Sequence, residues 1–153
     1  AKLKTSAPGS LDNLSWVTSS LPSDEWPGDE DVVIDTRAVG LNVQDVLYAT
    51  GSLQPPAGKR DGISFGLEVV GVISSVGNKA KGFGLAPGDK VVALSPGAGF
   101  KTSVVVPAAL VQKIPAGVSL EQAATLPLAF ATAAEGLVRQ GQLEKGQVSA
   151  SLS

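Results

Sequence analysis

The chain has 153 residues, 43% of them hydrophobic and 17% charged, with a formal net charge of -2. This composition belongs to a globular domain and not to a disordered chain. The scattered basic residues exclude the cationic footprint of a nucleic-acid binder and a polybasic membrane patch. Histidine and cysteine are absent, which removes disulfides, thiolate or imidazole zinc sites, and Ser–His or Cys–His nucleophile pairs.

No apolar run approaches the ~20 residues of a membrane-spanning helix. Residues 1–4 (AKLK) lack the apolar core of a signal peptide, and the chain contains no methionine. The expectation is an excised segment of a longer polypeptide. Any proton transfer must come from Asp, Glu, Lys, Tyr or a partner.

In chain order, residues 1–8 are expected to form a linker. Residues 9–17 (GSLDNLSWV), apolar at Leu11, Leu14, Trp16 and Val17, predict an opening strand. Residues 18–31, with two prolines and five acidic residues, predict a surface loop. Residues 31–39 (DVVIDTRAV) predict a strand, 43–50 a short helix, and 51–64, with Pro55-Pro56, an exposed loop. Residues 67–76 form the most apolar strand. Shorter strands follow at 90–94, 102–106 and 110–114, with Pro107 between the last two.

The period then changes. Ser119 and Gln122 fit a capping box, each side chain satisfying an orphan N–H of the other's backbone, and open a short helix to about Leu126. A second helix is expected from Leu128 to about Gln140, ending before Gly141, a favoured C-cap residue. The order is β-rich first, helical last: a mainly β fold with peripheral helices. GFGLAPG at 82–88 imitates a dinucleotide loop, but Pro87 interrupts it and no helix follows, so it predicts a turn. The Asn13-Leu14-Ser15 sequon is read as chance.

Several motifs follow one another in a specific order. They are GSLDNL at 9–14, AVGLNVQDVL at 38–47, GLE at 66–68, GVISSVG at 71–77, GDKV at 88–91, VPA at 106–108 and EQAATLP at 121–127. Together these resemble the medium-chain dehydrogenase/reductase superfamily, and within it the enoyl reductase domain of polyketide and fatty acid synthases, over roughly residues 9–147. The resemblance implies a GroES-like, partly open β-barrel at 9–127 and a helix at 128–147 leading towards a nucleotide-binding Rossmann domain absent from these residues. The tail at 148–153 is foreign to the family. Zinc alcohol dehydrogenases of the superfamily carry cysteine where Asn42 stands and histidine where Leu67 stands. An amide and an alkyl group cannot replace those ligands, so the resemblance is to the metal-free branch.

That branch implies NADPH as the cofactor of the full enzyme and an acyl carrier protein-bound, α,β-unsaturated acyl thioester as substrate. It also implies the other domains of the same synthase as partners, a homodimeric parent and a cytoplasmic location. The chain alone is expected to bind no NADPH and to be inactive. By resemblance, Asn42 and Thr132 match positions near the nicotinamide, and Val43, Asp45, Tyr48 and Thr50 lie on or beside the substrate cleft.

The residues themselves leave other roles open. Asn42 is also a favoured helix N-cap, Asp45 a structural hydrogen-bond partner, and Tyr48 a packing residue. Tyr48, the sole tyrosine, is also the one weak proton-donor candidate. Glu68, set in an apolar strand, needs a partner, and Lys or Arg is expected. The chain departs from the family pattern in the long turn from Phe83 to Asp89, in Ala134-Glu135 after Thr132-Ala133, and in the small, polar residues 148–153 where a Rossmann strand is expected; the last two motivate an alternative. In it the chain is a degenerate pseudo-reductase that serves as a scaffold within the synthase. A stand-alone chaperonin-10-like barrel is disfavoured by the opening GSLDNL and the trailing helices.

Overall fold

The computed structural model describes residues 1–19, 28–54, 64–95, 97 and 99–149. The loops expected at 18–31 and 51–64, and the tail at 148–153, lie partly outside them. In chain order the elements are β1 (Lys2–Thr5), β2 (Leu14–Val17), β3 (Asp31–Ala38), α1 (Val43–Ala49), β4 (Glu68–Val76) and β5 (Lys90–Leu94). They are followed by β6 (Ser103–Pro107), β7 (Val111–Lys113), α2 (Leu120–Ala123) and α3 (Pro127–Ala133).

The centre is a five-stranded antiparallel sheet in the order β6-β3-β4-β5-β7. Its edge strands β6 and β7 do not pair with each other, so the sheet stays open, as a mainly β fold with peripheral helices requires. The long apolar run of β4 is explained by burial on both faces. Val69 and Ile73 join Val32, Ile34, Val91, Val104 and Val106 in the main core. Val70 points the other way, against Ala123 and Ala124 at α2, with Val92, Ile114 and Leu120 around them. Each fully buried valine or isoleucine contributes about 1.5–3 kcal/mol, so the sheet is held from both sides.

The beginning of the chain differs from the expectation. Residues 2–5 form β1, antiparallel to β2 with Leu3 opposite Trp16. The predicted strand at 9–17 is shortened at its start by a 3₁₀ turn, Leu11–Asn13, which Ser10 caps by accepting the Asp12 N–H at 3.2 Å. The β1–β2 hairpin docks on a distant segment: Leu3 N–H donates to Phe100 O and Thr102 N–H to Ala1 O, each at 2.9 Å. Leu3, Leu14 and Phe100 then pack on Tyr48, Ala49 and Phe65.

The capping box at Ser119 forms as expected, with Gln122 N–H to Ser119 Oγ at 3.2 Å and Ser119 N–H to Gln122 Oε1 at 3.0 Å. The last helix is not uniform. It is α-helical from Pro127 to Ala133 and π-helical from Ala134 to Gln140, closing with Gly141 N–H to Gly136 O at 2.9 Å. Wider turns bring residues five apart into register, and Gln140 Nε2 donates to Glu135 Oε1 at 2.8 Å. The 82–88 segment is a turn between β4 and β5, with Gly84 and Gly88 at φ 72° and 91°.

Candidate functional site

The site is built around one carboxylate. Glu68 opens β4 and is only 4% exposed. Its Oε1 accepts from Asn42 Nδ2 at 3.2 Å, and its Oε2 accepts the Leu128 backbone N–H at 2.9 Å. The expected Lys or Arg partner is therefore corrected: among the described residues Glu68 has neutral donors and no ion pair. Proline at the first position of α3 brings no N–H, so Leu128 carries the first free donor of that helix. Gly40 makes the approach possible. A Cβ built there would lie 2.2 Å from Glu68 Oε1 and 2.7 Å from its Cδ.

Around this carboxylate lies a cavity of about 680 Å³. One wall is the 40–42 segment between β3 and α1; the other is α3 and its π-helical continuation, with Leu128, Thr132 and Gly136. Asn42 and Thr132, both named by the resemblance, line this one cavity. The sequence reading missed Gly40, Leu41, Thr125, Ala129 and Gly136. The stripe Thr125, Ala129, Thr132, Gly136 follows helical spacing and was the available signal.

The other sequence candidates are placed elsewhere. Asp45 is 5% exposed; its Oδ2 accepts the Asn42 N–H at 3.1 Å and its Oδ1 the Gly66 N–H at 2.7 Å. It belongs to the capping box of α1 and borders a second, apolar cavity with Leu3, Leu14 and Phe100. Tyr48 is buried in the cluster with Ala49 and Phe65, and its hydroxyl accepts from Gln44 Nε2 at 2.8 Å. The Thr50 hydroxyl donates to Val46 O at 2.9 Å at the end of α1. Val43 is 74% exposed. None of these four lines the cavity shared by Asn42 and Thr132.

Chemically, the shared cavity offers the Asn42 carboxamide, the hydroxyls of Thr125 and Thr132 and the Glu68 carboxylate among small and aliphatic side chains. That set fits a flat, amide-bearing ring such as nicotinamide. No Lys or Arg lines it, so it does not fit the phosphates of a dinucleotide. Among the described residues no three His, Cys, Asp or Glu side chains gather as a metal site, and no helix is long and apolar enough to cross a membrane.

Fold and site together define a class: the chain belongs to the alcohol dehydrogenase GroES-like domain family, whose model matches residues 28–116, more than half of the chain. Among curated relatives it is 35% identical over 145 residues to the highly reducing polyketide synthase ALT1 of Alternaria alternata. That match covers 95% of this chain and 5% of the synthase. Among solved structures it resembles the CurK enoyl reductase, with a TM-score of 0.81 and 34% identity over 90% of this chain and 42% of that one. The quinone oxidoreductase of Escherichia coli, solved with NADPH, matches with a TM-score of 0.73 and 26% identity, over 91% of this chain and 40% of that one. The chain thus spans a small part of the synthase and less than half of each reductase.

Proposed function

We propose that this chain is the substrate-binding portion of an NADPH-dependent enoyl reductase domain in a multidomain, highly reducing polyketide synthase. The observation that carries the reading is the convergence of Asn42 and Thr132 on one cavity without cationic groups. The similarity to the CurK enoyl reductase and to synthases such as ALT1 supports the reaction class and the other synthase domains as partners. The NADPH-bound quinone oxidoreductase supports the cofactor.

In the full enzyme NADPH supplies a hydride to the β-carbon of an α,β-unsaturated acyl thioester, and a proton at the α-carbon completes the saturated product. Asn42 and Thr132 would hold the carboxamide-bearing ring by hydrogen bonds, and Leu41 and Leu128 would shield it from water. The exposed Val43, Val46 and Leu47 of α1 offer an apolar surface for an acyl chain delivered by an acyl carrier protein. The parent is a cytoplasmic homodimer, and this segment neither binds NADPH nor turns over alone.

The test is to give the full-length polypeptide that contains this segment NADPH and a crotonyl thioester. Consumption of reduced nicotinamide together with butyryl thioester is expected. No consumption overturns the enzymatic reading and leaves the scaffold alternative.

A further inference from the structure

We infer that Glu68 is the positioning residue of the nicotinamide-facing cavity, fixing both of its polar walls through one carboxylate; this rests on the proposed reductase reading. Three observations carry the inference. Glu68 is buried yet unpaired with any cation among the described residues, and each of its oxygens is used by a different wall. Oε1 holds Asn42 Nδ2 on the 40–42 segment; Oε2 holds the Leu128 N–H on α3, 60 residues away in sequence. Gly40 leaves no room for a side chain over the carboxylate, because a Cβ there would overlap Oε1.

The chemistry makes the placement directional. An ionised carboxylate accepts hydrogen bonds and donates none. Facing Glu68, the Asn42 amide presents its nitrogen, 3.2 Å from Oε1. Thr132 lies one helical turn beyond Leu128, so fixing Leu128 fixes the hydroxyl on the opposite wall. Glu68 Oε1, with the Gly40 carbonyl at 3.4 Å, takes the nitrogen end of the Asn42 amide, while Oε2 holds the wall that carries Thr132. A simple stability role would require neither the choice of amide end nor two donors from separate walls.

Glutamine at this position keeps the shape but replaces one acceptor oxygen by an NH2 donor. It can accept the Leu128 N–H and still reach Asn42 only if the Asn42 amide turns to present its oxygen. Glu68→Gln in the full-length parent is expected to raise KM for NADPH about tenfold or more, the usual worth of a charge-assisted hydrogen bond. KM for the acyl thioester should change less than about twofold. Glu68→Asp, which keeps the charge with a shorter reach, should recover part of the loss. In a double-mutant cycle with Asn42→Ala, the two effects on KM for NADPH should be strongly non-additive.

A Glu68→Gln variant that melts lower but leaves KM for NADPH unchanged overturns the inference, as does simple additivity with Asn42→Ala. If neither Glu68→Gln nor Glu68→Asp folds, Glu68 is a structural residue and the inference fails. A parent that neither binds nor oxidises NADPH removes the reductase reading and this inference with it. The first three failures leave that reading intact.

Discussion

The Asp45 carboxylate joins helix α1 to the backbone of Gly66: Oδ1 accepts the Gly66 N–H at 2.7 Å while Oδ2 accepts the N–H of Asn42 at 3.1 Å. Gly66 has φ 88° and a Cβ there would lie 2.7 Å from Gly99 Cα and Phe100 N. The chain therefore crosses itself closely at this point, and the carboxylate satisfies the buried donor that results. Asp45→Ala should cost about 1–3 kcal/mol by leaving the Gly66 N–H without a partner. Asp45→Asn, which keeps one acceptor, should cost less. Urea midpoints at constant m-value measure both; equal losses would show that Gly66 finds another acceptor.

Two glycines, one in a buried strand and one in an exposed turn, should behave in opposite ways. At Gly71, in the middle of β4, a Cβ would lie 2.1 Å from the Asp35 carbonyl oxygen and 2.7 Å from Ile34 Cγ2. Backbone cannot rotate away, so Gly71→Ala should destabilise by about 3 kcal/mol or more. Around Gly82 nothing lies within 4 Å and its φ is ordinary. Gly82→Ala should be neutral or stabilise by roughly 0.4–1 kcal/mol through the unfolded chain. Thermal melts of the two variants give the comparison.

Tyr48 separates packing from chemistry. Its hydroxyl bonds to Gln44 and its ring is enclosed by Ala49, Phe65 and the β1–β2 hairpin. Tyr48→Phe should lower stability by about 1 kcal/mol and leave NADPH turnover by the full-length parent within about twofold. A turnover loss beyond about tenfold, with an unchanged melting temperature, would make Tyr48 a proton donor instead.

Acid sensitivity is expected at the turn before β5. The Lys113 ammonium at 2.8 Å, and then the Ala86 N–H at 2.8 Å, hold Asp89 below its ordinary value near 3.8. A carboxylate whose folded pKa is depressed adds stability above its unfolded pKa, and that stability is lost as pH falls below about 3.8 towards the folded value. Asp89→Asn should therefore flatten the fall of the melting temperature in that acid window and lower stability at neutral pH. The same acid slope in both proteins would assign the sensitivity to other groups.

The sheet was legible because its strands are apolar runs bounded by glycine and proline. β5 falls at its predicted residues, and β3, β4 and α1 within one residue at either end. Local signals also served at Ser119, whose capping box needs only neighbours in sequence. What escaped depends on partners far along the chain. Residues 2–5 alternate too briefly to announce a strand, and they become one against β2. The carboxylate of Glu68 promised a charge partner, yet its donors are an amide 26 residues before it and a backbone N–H 60 residues after it. At the site, Asn42 and Thr132 were found through family motifs, whereas Gly40 and Leu128 matter only through geometry around Glu68.

The docking of the β1–β2 hairpin sets a schedule for the newborn chain. Its acceptor and donor lie at Phe100 and Thr102, so the hairpin residues must wait, as the chain is made, for those about a hundred positions later. At about 5–20 residues per second this interval is roughly 5–20 s, during which Leu3 and Leu14 lack their final cover. Slowing translation upstream of Phe100 should lengthen the time this hairpin is open to chaperones and proteases, without altering the finished domain.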